Sequence, residues 1–141
     1  MIENGNKTSG KNIKQYVYVC PHCFNKVENC ECPMLPYELI QIDKNIWPSI
    51  KVLNNKWYFT ESCCEGHIED NPKPFIYIMF RKNQKFKTVP DGFKDLKGCI
   101  KAEITGKSDE AKKRKKRALL KSLYEWACEL ESRRPGNCPI F

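Results

Sequence analysis

The sequence has no long hydrophobic run. Its apolar stretches fall far short of the ~18 residues that a helix needs to cross a bilayer, which argues against a membrane-spanning helix. The first fifteen residues, MIENGNKTSGKNIKQ, hold no apolar stretch of the kind a secretory leader carries. The expectation is a cytoplasmic protein with a polar tail over 1–15. No internal repeat is visible, and no complete catalytic set can be assembled, so no residue is assigned a catalytic role. A chain of 141 residues fits one ordinary domain with a modest core.

Cysteine, by contrast, is abundant: nine residues in 141. That many cysteines serve either a disulfide framework in an exported protein or metal ligation in a reduced one. Without a leader, the metal reading is favoured. Cys20-Pro21-His22-Cys23 is followed, six residues on, by Cys30-Glu31-Cys32. Two such pairs joined by a hairpin-length spacer aim four thiolates at one point, the ligand set of tetrahedral zinc. Local disulfides among them would be strained. The expectation is a zinc knuckle over 16–36 ligated by Cys20, Cys23, Cys30 and Cys32, with His22 pointing outward. Such a site stabilises folding and does no chemistry itself.

Beyond the knuckle, YELIQI (37–42) alternates and predicts a strand. Asp43 suits the N-cap of a helix over 44–54, with Ile46, Ile50 and Leu53 on one face and Pro48 causing some distortion. KWYFT (56–60) predicts a second strand and FIYIMF (75–80) a central one buried on both faces. Pro90-Asp91-Gly92 marks a turn. CIKAEIT (99–105) predicts a strand with Ile100, Ala102 and Ile104 inward, and a long helix over 108–133 stops at Pro135-Gly136. These elements predict an α+β fold over 37–134: a small, mostly antiparallel sheet packed by two helices, with the knuckle before it and a tail over 135–141.

Cys63, Cys64 and His67 cluster in ESCCEGH, where Gly66 allows a sharp turn. Three readings stand open. One is a second metal site completed by Cys99, Cys128 or Cys138. Another is a thiol nucleophile activated by His67, with Glu65 or Asp70 as orienter. The third is a structural loop with buried thiols.

Charge is concentrated as well. The chain carries a net +8, and residues 107–117 hold seven cations against two anions. Lys112, Lys113, Arg114, Lys115, Lys116 and Arg117 are consecutive. Six residues go right round a helix, which predicts that no face of this run is buried. From Leu119 an apolar stripe begins, through Leu123, Trp126 and Leu130. The basic run is the candidate contact for phosphates or a partner. Tyr16, Tyr18 and Phe86 lie among lysines as exposed aromatics, without forming a stacking platform.

CPHCFNKVENCEC, PYELIQIDKNIWPSIKVLNNKWYFT running into CCEGH, FIYIMF, PDGF and LYEWACELE together resemble uncharacterised small zinc-knuckle proteins of Firmicutes phages and mobile elements, over roughly 18–131. The resemblance implies an accessory role in a host cytoplasm, including anti-CRISPR-like inhibition of a host defence nuclease. The leading expectation is thus a non-enzymatic zinc protein that docks on nucleic acid or on a nucleoprotein complex such as a CRISPR nuclease. The alternatives are a Cys64/His67-centred enzyme acting on nucleic acid, or a DNA-binding transcriptional regulator.

Overall fold

The computed structural model describes residues 15–33, 38–82 and 84–135. Cys138, the tail over 1–14 and the start of the strand expected at 37 lie outside them. The fold is α+β, and its strands form two antiparallel sheets. Strand β1 (Tyr16–Val19) pairs with β2 (Ile40–Asp43), Tyr16 opposite Asp43 and Val19 opposite Ile40. Between them lie the knuckle cysteines and a short 3-10 turn, Val27–Asn29. The four-stranded sheet contains β3 (Thr60–Cys64), β4 (Phe75–Phe80), β5 (Lys94–Asp95) and β6 (Cys99–Glu103), in the order β3-β4-β6-β5. Helices α1 (Trp47–Asn55) and α2 (Asp109–Glu129) complete the set.

Several boundaries differ from expectation for physical reasons. Helix α1 starts at Trp47 instead of 44, and no side chain caps it. The late start puts Pro48 in the first turn, where its missing N–H breaks no helical bond. Asp43 does not cap; its carboxylate is used elsewhere. KWYFT is mostly not a strand. The N–H of Trp57 donates to Asn54 O and that of Tyr58 to Leu53 O, at 3.0 and 2.9 Å. This is a Schellman ending, and Trp57 takes its left-handed position with φ 71°. Pairing therefore begins only at Thr60 and runs on through Ser62, Cys63 and Cys64, which had been expected in a loop.

FIYIMF is central in its sheet but is buried on one face only. Ile76, Ile78 and Phe80 are buried, while Met79 is exposed. With Ile100, Ala102 and Ile104 they form the sheet side of one core, closed by Ile46, Ile50 and Leu53 of α1 and by Leu119, Leu123, Trp126 and Ala127 of α2. Phe86, expected to be exposed, packs on Phe80 and Trp126 with ring centroids 4.9 and 5.2 Å away.

Helix α2 begins as expected, with Ser108 Oγ accepting the Ala111 N–H at 3.1 Å. It ends at Glu129, four residues before the expected stop. The ammonium of Lys56 donates to the carbonyls of Ala127, Cys128 and Leu130 at 2.9, 2.6 and 2.6 Å. A cation on these last carbonyls satisfies them and complements the helix dipole. No local signal could announce a cap supplied from some 70 residues upstream.

Candidate metal centres and a basic helix

The knuckle is assembled by local geometry. Phe24 sits at φ 60°, and its N–H returns to Cys20 O at 2.9 Å, curling the first pair of cysteines. Three of the sulfurs accept an N–H from two residues on: Cys20 from His22 at 3.3 Å, Cys23 from Asn25 at 3.4 Å and Cys30 from Cys32 at 3.4 Å. Such bonds favour thiolates and hold the sulfurs on one centre. The ligand atoms of all four cysteines lie within 4.8 Å of one another. Cys20 Sγ and Cys32 Sγ are 3.8 Å apart. That is far beyond the ~2.05 Å of a disulfide and close to the ~3.8 Å edge of a tetrahedron with ~2.3 Å metal–sulfur bonds. The four sulfurs can therefore hold one metal ion. His22 is exposed.

Burial pushes the thiols of Cys23 and Cys32 up. Burial also opposes ionisation of Cys20, but the N–H groups of Cys23 and His22 together with hydrogen bonds from Cys30 and Cys32 outweigh it and leave that thiol below its ordinary value.

The knuckle is not an isolated appendage. Cys20 and Cys23 are buried, and Val19 and Phe24 belong to the common core. Trp47 Nε1 donates to Phe24 O at 2.8 Å and Asn55 Nδ2 to Cys23 O at 3.3 Å, tying the knuckle to both ends of α1.

The ESCCEGH segment divides its residues between two faces. Neighbours on a strand point to opposite sides. Cys63 sits opposite Ile78 and packs against the core, where burial pushes its thiol up to about 12. Cys64 sits opposite Tyr77 and turns the other way. Cys63 therefore does not join His67. The structure brings Asp43 instead: Asp43, Cys64 and His67 offer ligand atoms within 4.8 Å of one another. His67 Nε2 lies 3.1 Å from Asp43 Oδ2, which also accepts the Glu65 N–H at 3.0 Å. Neither Glu65 nor Asp70 orients His67; Asp43 does. Gly66, at φ 82°, supplies the expected turn, and a Cβ there would meet Ile104 Cδ1 at 2.5 Å. The Cys64 thiol is raised by burial and by the Asp43 carboxylate, against one N–H from Gly66. A thiol so held is a poor nucleophile at neutral pH. Cys99 pairs across from Met79 and donates to Ile100 O, away from this cluster. Cys128 is exposed near the end of α2.

Glu65, expected as a possible orienter of His67, has a different role: it is a buried anchor for Asn45 and Lys116. It is 1% exposed. Its Oε1 accepts the Asn45 N–H at 2.6 Å, and its Oε2 accepts Asn45 Nδ2 at 2.9 Å and the Lys116 ammonium at 2.8 Å. Lys116 also donates to Gly66 O at 2.7 Å. The basic run is thus not wholly solvated. Lys116 is turned inward, and Lys112 reaches Pro72 O at 3.2 Å. Lys113, Arg114, Lys115 and Arg117 are exposed. Lys113, Arg117 and Lys121 rim a cleft of about 690 Å³ between the two helices, with Pro48, Ile68, Leu120 and Tyr124 in its lining. On the other side Lys115 meets Lys94 and Lys101 around a second cleft of about 390 Å³. The cross-strand pair Lys94–Lys101 sets two like charges side by side. Such a pair costs stability unless an anion neutralises it.

No helix among the described residues is long and apolar enough to cross a membrane. No protein-family model, curated protein or solved structure matches the chain.

Proposed function

We propose that the protein is a non-enzymatic docking module, stapled by one zinc ion at Cys20, Cys23, Cys30 and Cys32, that meets nucleic-acid phosphates with the first half of α2. Four sulfur donors at tetrahedral spacing suit zinc above harder divalent ions, which prefer oxygen. The ion would supply rigidity, holding the knuckle that follows β1 against α1.

The observation that carries the docking reading is the exposed set Lys113, Arg114, Lys115 and Arg117 on a helix whose other half is locked into the core. Cations carried around a folded helix need little backbone ordering when they bind, and each phosphate they neutralise releases a counterion. The basic clefts on either side of α2 extend the same surface. In a cell the phosphates can belong to free nucleic acid or to a nucleoprotein complex. The resemblance to phage proteins makes inhibition of a host defence nuclease, CRISPR nucleases included, one concrete form of this role.

Affinity for a short DNA duplex and for a single-stranded RNA, measured by fluorescence anisotropy across a salt series, tests the reading. Four phosphate contacts predict a slope of about −3 to −4 in log K against log salt, with little sequence preference. Absence of binding at low salt, or binding indifferent to salt, would sink it. A strong preference for one DNA sequence would instead support a transcriptional regulator.

A further inference from the structure

The sulfur of Cys64 has the same local geometry as the knuckle sulfurs. It accepts the N–H of Gly66, two residues on, at 3.4 Å. The corresponding distances at Cys20, Cys23 and Cys30 are 3.3, 3.4 and 3.4 Å. Cys99 instead donates to a carbonyl at 3.7 Å. Beside Cys64 stand one imidazole and one carboxylate, with His67 Nε2 and Asp43 Oδ2 3.1 Å apart. That separation is close to the ~3.3 Å ligand–ligand edge of a tetrahedral site with ~2.0 Å bonds to nitrogen and oxygen.

We propose that Asp43, Cys64 and His67 form a second metal site, distinct from the knuckle, that takes one zinc-class divalent ion. The mixed oxygen, sulfur and nitrogen set is one that zinc accepts, and harder cations would find only one oxygen in it. The charges balance: a dication with one carboxylate, one thiolate and a neutral imidazole leaves no net charge in a half-buried place. The Glu65 N–H on Asp43 and the Gly66 N–H on Cys64 hold two ligands in position before the ion arrives. Glu65 is not a ligand, because Asn45 and Lys116 already occupy both its oxygens. Cys63 is not one either, since it faces the core. Three protein ligands leave a fourth position, and the site has an open side. Asp43 and His67 line a cleft of about 570 Å³, together with Gln41 and Asp70. Among the described residues no fourth protein ligand stands within reach, so this site presents an open position to the cleft, in contrast to the set of four at the knuckle.

Metal analysis of the purified full-length chain tests this independently of the docking reading. The expected content is two zinc per chain, falling to one in the Cys64→Ala/His67→Ala double variant and staying at two in Cys63→Ala. X-ray absorption on the unaltered protein needs no variant: one four-sulfur site and one single-sulfur site average to about 2.5 sulfurs per zinc, whereas the knuckle alone gives four. One zinc per chain with four sulfurs overturns the second site and leaves the knuckle standing. Two zinc retained in the double variant, or one lost in Cys63→Ala, overturns the choice of ligands. No zinc at all overturns both centres.

Discussion

The two halves of α2 share one helix and have opposite fates. Over Asp109–Arg117 the helix is a ring of charge; over Ala118–Glu129 it carries the buried Leu119, Leu123, Trp126 and Ala127. The boundary in the sequence, between Arg117 and Ala118, is not the boundary in the structure. Lys116 crosses it, because its long stem carries the ammonium to Glu65 and the Gly66 carbonyl. A run of like charges is thus not one functional unit. Lys116 is an internal fastening, Lys112 reaches Pro72 O, Lys113 makes an exposed pair with Glu110 at 3.8 Å, and Arg114, Lys115 and Arg117 face water.

Metal removal would sharpen that comparison most, since it touches neither half directly. A chelator that strips the knuckle should cost several kcal/mol and melt both halves of α2 together, because the knuckle shares their core; structural zinc contributes on the order of 10 kcal/mol in small domains. Thermal melting with and without chelator reads this, and an unchanged transition would contradict it. Next, Lys116→Ala leaves the buried Glu65 carboxylate without its countercharge, held only by the Asn45 donors. Breaking a buried pair costs about 3–5 kcal/mol, so urea denaturation should rank this basic-run residue with core positions. Leu123→Ala, in the apolar half, should cost about 2–5 kcal/mol through its cavity. Gly66→Ala should cost less, about 1–3 kcal/mol, from the left-handed backbone and the crowding against Ile104. Arg114→Ala, Lys115→Ala and Arg117→Ala should each leave stability within about 0.5 kcal/mol.

Much of this was legible in the sequence. The four-cysteine spacing, the stripe Ile46, Ile50 and Leu53, the strand at Phe75–Phe80 and the start of the long helix near Ser108 depend on local pattern, and local pattern carried them. The misses share a cause: contacts across long separations. Asp43 looked like a helix cap because nothing nearby says that it will meet His67. Lys56 and Trp57 read as the start of an aromatic strand, whereas one caps α2 and the other ends α1. Cys63 and Cys64 looked equivalent until the register opposite Ile78 and Tyr77 put them on different faces. Glu65 was read only as a possible orienter of His67, because nothing local says that a glutamate beside glycine will be buried against Asn45 and Lys116.

The most direct test of a basic half built for phosphate on an apolar half built for the core is a pair of readings on one variant. Arg114→Ala/Lys115→Ala/Arg117→Ala should melt at the temperature of the unaltered protein and lose most of its nucleic-acid affinity, with the salt slope reduced by about 3. Unchanged affinity and slope in a folded variant would contradict the assignment of this face to phosphate.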